Sequence, residues 1–171
     1  MSAQLTIDGE ITVSSNDIIR ALMAKFPHPK RQSGLNQDGN ISFGELRIGT
    51  GYGKDAEQRI DFWTMHPLPS KGFVRQAFEV KVTRGDFLRE MRQPRKRAYA
   101  LLYSNEFYFA VPKGLIDPGE LPPEAGLYEY GRYADGEPHL YCTVAAPWRD
   151  TPPPSWRFFA AVTRRALGVT A

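Results

Sequence analysis

The chain holds a single cysteine in 171 residues, so no disulfide can close within it and no CxxC pair suggests a zinc knuckle. Cys142 is therefore expected as a small core residue. No apolar run approaches the ~20 residues of a membrane span. The start, MSAQLTIDGE, lacks the basic-then-apolar order of a secretory signal. These absences predict a soluble, cytoplasmic chain with no membrane partner. Charge imbalance is also small: 22 Lys and Arg against 19 Asp and Glu leave a net +3, which permits a nucleic-acid partner without requiring one. Repeats and low-complexity tails are missing too, and 42% hydrophobic with 24% charged residues are globular values. The length suits one domain over residues 1–171.

The basic charge that is present is concentrated. Between Arg84 and Arg97, six basic residues (Arg84, Arg89, Arg92, Arg95, Lys96 and Arg97) stand against two acids, Asp86 and Glu90, a surplus larger than that of the whole chain. Such a run either binds phosphates or forms the wet face of helices. Arg95 and Lys96 follow Pro94, where a helix is expected to open and attract anions. With Arg84, they are the residues expected to touch a DNA backbone.

Periodicity orders the rest. Ser14 and Asp17 form a capping box before Ile18, Leu22 and Lys25 or Phe26 at helical spacing, which predicts a helix over about 15–26 that FPHPK ends. Residues 33–54 are glycine-rich and predict a mobile loop with one short helix or strand near Glu45. QRIDFWTM and RQAFEVKV alternate as strands, with Ile60 and Phe62 on one face of the first and Asp61 and Trp63 on the other. A hairpin turning around Ser70 sets Asp61 opposite Glu79 and Phe62 opposite Phe78. Thr83 and Asp86 then cap a helix through DFLREM, and RKRAYALLY reads as a second. NEFYFAVP, GLYEYG and HLYCTVA read as strands, the last two parted by a turn at Asp135 and Gly136. A final helix over about 155–167 carries an apolar stripe of Trp156, Phe159, Val162 and Ala166. His28, His66 and His139 lie beside prolines without metal-ligand spacing and read as turn residues.

The hairpin brings Asp61, Glu79 and Lys81 onto one strand face. Adjacent carboxylates repel unless a cation separates them, and oxygen donors of this kind suit Mg²⁺, with Mn²⁺ as a substitute. Phosphodiester hydrolysis uses such a set, with a lysine that holds the attacking water or stabilises developing charge. Lys81 is placed for that role. The Val80 carbonyl is a further candidate ligand, as is Glu45, directly or through water. An acid-any-lysine triplet arises about once per chain by composition alone, so its weight comes from Asp61 in register with it.

These residues resemble the pattern of the PD-(D/E)XK nuclease superfamily: Ile60-Asp61, seventeen residues, then Glu79-Val80-Lys81. The block FEVKVTRGDFLREMRQPRKR, followed by NEFYFAVPKGLI and GLYEYG, is similar to the MmcB-like family of DNA repair endonucleases, over about residues 43–131. The resemblance implies an α/β fold with a restriction-endonuclease-like core, a central mixed β-sheet flanked by α-helices. It also implies Asp61, Glu79 and Lys81 in the catalytic positions and Glu45 as a helix-borne acid. Isoleucine stands where the pattern has proline.

Three functions follow as expectations. The first is a metal-dependent nuclease acting in DNA repair, recombination or phage DNA processing. The second is a non-catalytic module binding DNA or a complex. A domain this small grips little duplex, which leaves room for a homodimer or a protein partner. The third is a calcium-binding domain through GLNQDGNISFGE, residues 34–45, which matches an EF-hand loop at its third, fifth, sixth, eighth and twelfth positions but has Gly34 for the first aspartate, with FPHPK and RIGTGYG opposing the flanking helices.

Overall fold

The computed structural model describes residues 12–29, 39–48, 59–132 and 137–169. Tyr52, residues 34–38 of the calcium-loop pattern, and the turn at Asp135 and Gly136 lie outside them.

Helix α1, Ser15–Lys25, begins at the expected capping box: the Asp17 N–H donates to Ser14 Oγ at 3.3 Å and the Ser14 N–H donates to Asp17 Oδ2 at 2.9 Å. Strand β1 (Ile41–Arg47) follows, then β2 (Arg59–Met65) and β3 (Arg75–Val80). Thr83 caps α2, Arg84–Met91, by accepting the Asp86 N–H at 3.2 Å. A 3-10 turn at Pro94–Arg97 leads into α3, Ala98–Leu102. Then come β4 (Glu106–Pro112), β5 (Ala125–Arg132), β6 (Pro138–Val144) and α4 (Trp156–Leu167).

The six strands lie side by side in chain order. The β1–β2, β2–β3 and β5–β6 pairs are antiparallel, while β3–β4 and β4–β5 are parallel. Parallel neighbours need a crossover, and α2, the 3-10 turn and α3 supply the first. Both faces of this mixed sheet are covered. Ile18 and Leu22 of α1 pack on Phe62, Phe78, Val80, Tyr108 and Tyr128. On the other face Trp63, Ala77, Phe107, Phe109 and Leu127 meet Phe87, Tyr103 and Phe158. Each phenylalanine so buried contributes ~1.5–3 kcal/mol. No helix among the described residues is long and apolar enough to cross a membrane.

The structure corrects several expectations. Glu45 is carried by a strand, β1, because Phe43 and Leu46 bury against the sheet where no helical stripe exists. Ile60 and Phe62 do not share a cluster: Ile60 joins Trp63 while Phe62 faces α1. Beside them, between the Gly44–Phe62 and Leu46–Ile60 pairs, Glu45 takes a left-handed φ of 54°. The buried face of α4 is Phe158 and Ala161, with Trp156 and Phe159 exposed. Phe158 wins that place by stacking on Tyr103 at 3.9 Å and meeting Trp63 edge-on at 5.4 Å. RKRAYALLY splits into the 3-10 turn and the short α3, so Arg95 and Lys96 do not open a long helix. His139 lies within β6 and not in a turn. Cys142, on the same edge strand, is exposed and not a core residue.

Candidate active site

The β2–β3 hairpin fixes the centre of the site. Phe62 faces Phe78 and Trp63 faces Ala77, a register that carries Asp61 to the level of Glu79. The β2–β3 ladder stops just short of this level, at the Phe62–Phe78 pair, and β3 itself ends at Val80. Asp61 Oδ2 accepts the Val80 N–H at 3.0 Å, so the carboxylate takes up a backbone donor at the last residue of β3. The Lys81 N–H donates to Ala110 O at 3.1 Å, which holds the lysine backbone against β4.

Lys81 Nζ lies 2.5 Å from Glu79 Oε1 and 3.6 Å from Glu90 Oε2. The four side chains form a floor: relative exposure is 17% for Asp61, 16% for Glu79, 13% for Lys81 and 6% for Glu90. Burial, and then the charge of Asp61, push the Glu79 carboxyl up to about 7 despite Lys81 beside it. Burial works against the Lys81 charge, yet Glu79, Asp61 and Glu90 around it leave its pKa above the ordinary lysine value.

Glu90 was not among the residues singled out from sequence. It sits three residues after Phe87 on α2, and the two are the buried residues of that helix. That i, i+3 spacing was legible. What hid it is that a glutamate in a charged helix ordinarily faces water.

Around the floor, an open cleft of about 280 Å³ is lined by the first turn of α1 (Ser15, Asn16), by Glu45 and Arg59, and by Asp86, Arg89 and Lys96. Arg59 bridges two acids, its Nη1 lying 3.2 Å from Glu45 Oε1 and its Nη2 3.3 Å from Asp61 Oδ1. Glu45 is thus at the rim, 66% exposed and held through Arg59. On its flank α4 reaches β1, where Arg165 Nη2 donates to Gly44 O at 3.1 Å. Of the three basic residues expected at DNA, Lys96 lines the cleft and Arg95 is exposed nearby on the same turn. Arg84 is instead engaged by both carboxylate oxygens of Glu120. Arg97 is buried, with its Nη2 2.7 Å from Glu124 Oε1, and serves the core.

Among the described residues no group of three or more His, Cys, Asp or Glu side chains converges tightly enough to cage a metal ion. The pair that does stand together, Asp61 and Glu79, still fits Mg²⁺, an ion commonly held by one or two carboxylates and otherwise by water and substrate phosphate. The raised Glu79 carboxyl is the observation behind that fit: its charged form lacks a compensating cation beyond Lys81. The described half of the calcium-loop pattern runs straight into β1, so Glu45 leads into no exiting helix.

No family model matches the chain, and no curated protein does. A solved structure, the SPO1766 protein of unknown function from Silicibacter pomeroyi, is similar with a TM-score of 0.51 and 22% identity, covering 76% of this chain and 74% of that one. A likeness at that identity speaks for a shared α/β fold alone, since one fold hosts many activities.

Proposed function

We propose that this chain is a metal-dependent DNA nuclease with a PD-(D/E)XK core, hydrolysing phosphodiester bonds in DNA repair, recombination or phage DNA processing. The observation that supports it best is the floor of the cleft. Asp61, Glu79 and Lys81 stand together where the pairing of β2 with β3 runs out, each less than a fifth exposed. A solvated row of surface ion pairs has no need of such burial.

Asp61 and Glu79 are the residues to hold Mg²⁺ or Mn²⁺, with the Val80 carbonyl beside them and Glu45 able to join from the rim only after leaving Arg59. When bound, the ion supplies Lewis-acid activation of water and charge neutralisation at the phosphate. Asp61 is oriented for this by the Val80 N–H, and Lys81 supplies a positive charge for the attacking water or the developing anion. Lys96 and Arg95 supply contacts to flanking phosphates, Lys96 from the cleft wall. Arg84, paired with Glu120, is withdrawn from that role.

The test is cleavage of labelled duplex, single-stranded, flapped and four-way DNAs in Mg²⁺ or Mn²⁺, comparing wild type with Lys81→Ala. Cutting by the wild type alone is the expected result. Salt-sensitive DNA binding by both proteins without cutting by either would sink the catalytic reading in favour of a binding module.

A further inference from the structure

Glu90 is a buried acid that the proposed reaction leaves unused. Its Oε1 has no hydrogen-bond partner, and its Oε2 stops 3.6 Å from Lys81 Nζ, beyond hydrogen-bond length. Lys81 is bonded instead to Glu79 Oε1 at 2.5 Å. That oxygen cannot serve both an ammonium and a divalent cation at full strength. Lys81 therefore needs a second partner once Glu79 is called upon.

Asp61 is the poorer candidate: its Oδ2 accepts the Val80 N–H at 3.0 Å, its Oδ1 accepts from Arg59 Nη2 at 3.3 Å, and it shares the cation with Glu79. Resting on the nuclease reading, we infer that Glu90 is a positioning residue, the second seat of the Lys81 side chain. When Glu79 turns to a cation, the Lys81 ammonium closes the 3.6 Å gap and is held by Glu90 beside the reacting water.

The two anchors suit this movement. The Lys81 backbone is fixed by its N–H to Ala110 O at 3.1 Å, so only the flexible stem travels. Glu90 is set in α2 beside the buried Phe87, and its carbonyl accepts the Gln93 N–H at 3.0 Å and Arg97 Nη1 at 3.5 Å. The seat is fixed by its helix, while the lysine has rotatable bonds along its stem. Glu90 Oε1 is buried without a protein partner, so the carboxylate keeps an oxygen to offer the ammonium.

The experiment uses the full chain and Glu90→Gln, which keeps the shape and removes the charge. Mg²⁺ affinity is read by calorimetry, and Lys81 protection by amine labelling and mass spectrometry with and without Mg²⁺. Wild type should keep Lys81 protected in Mg²⁺. Glu90→Gln should expose it to labelling in Mg²⁺ alone and cut roughly 10–100-fold more slowly, the usual loss for a residue supporting a metal site. A second reading needs no variant: carboxyl ¹³C NMR of wild type should show the Glu90 signal shifting as Mg²⁺ is added. If wild type binds Mg²⁺ and cuts DNA while Glu90→Gln labels and cuts like it, or the Glu90 signal stays still, this assignment alone falls. If wild type takes up no Mg²⁺, the nuclease reading falls with it.

Discussion

Asp61 Oδ2 accepts the Val80 N–H at 3.0 Å, so one carboxylate both joins two strands and presents its charge to the cleft. The two duties are separable. Asp61→Asn keeps an acceptor for the Val80 N–H and should leave stability close to wild type while abolishing cleavage. Asp61→Ala should abolish cleavage and also cost about 1–3 kcal/mol, the price of an unpaired buried donor. Urea melts beside cleavage assays check both, and equal stability of the two variants would refute the tether.

A second prediction concerns pH. Glu79 titrates near 7 in the folded chain against an ordinary 4.5, so between those values the folded state holds a proton that the unfolded state has released. Stability of the metal-free protein should then fall as pH rises from about 4.5 to 7. Glu79→Gln should flatten that slope. Because a cation and this proton compete, Mg²⁺ should bind more tightly as pH rises through the same window. Thermal melts from pH 4 to 8, with and without Mg²⁺, read both effects.

The basic segment should divide by role. Arg97→Ala removes the partner of Glu124 from a site where the arginine is 5% exposed, and should cost about 3 kcal/mol or more. Lys96→Ala and Arg95→Ala should leave the melt unchanged and each lower the salt slope of DNA binding by about one. Arg84→Ala should change neither, because its guanidinium already belongs to Glu120. Fluorescence anisotropy at several salt concentrations makes the comparison.

A fourth prediction tests packing near the rear edge of the sheet. A methyl group at Gly126 would meet Ala146 N at 2.5 Å and the Tyr108 ring at 2.5 Å, so Gly126→Ala should destabilise by about 1–3 kcal/mol. Cleavage by the protein that remains folded should be unaffected. Chemical denaturation and a cleavage assay at low temperature distinguish the two.

The hairpin was legible because alternation and a single turn decide it: Phe62 opposite Phe78 follows from the two strands and the loop alone. Helix starts were legible for the same local reason, since Ser14 and Thr83 satisfy their own backbone within three residues. What escaped was set by distant partners. Trp156 and Phe158 both lie on α4, and only Trp63 and Tyr103 determine which aromatic turns inward. The strand of Glu45 was half legible, with a short helix or a strand both open there, because it exists only through pairing with β2 and its left-handed backbone interrupts the alternation. Such a conformation costs roughly 1–2 kcal/mol for a residue with a side chain, and strain of this kind gathers at functional sites.

The sheet runs in chain order, and that carries a consequence for how the protein is made. Every strand has its partner next in sequence, so each can pair as it leaves the ribosome without waiting for a distant segment. Asp61, Glu79, Lys81 and Glu90 all emerge well before α4, whose Phe158 covers Trp63 and Tyr103. A nascent chain can therefore assemble its acidic floor while one aromatic face is still bare. During synthesis, that exposed face and not the floor is the point at which a chaperone would be needed.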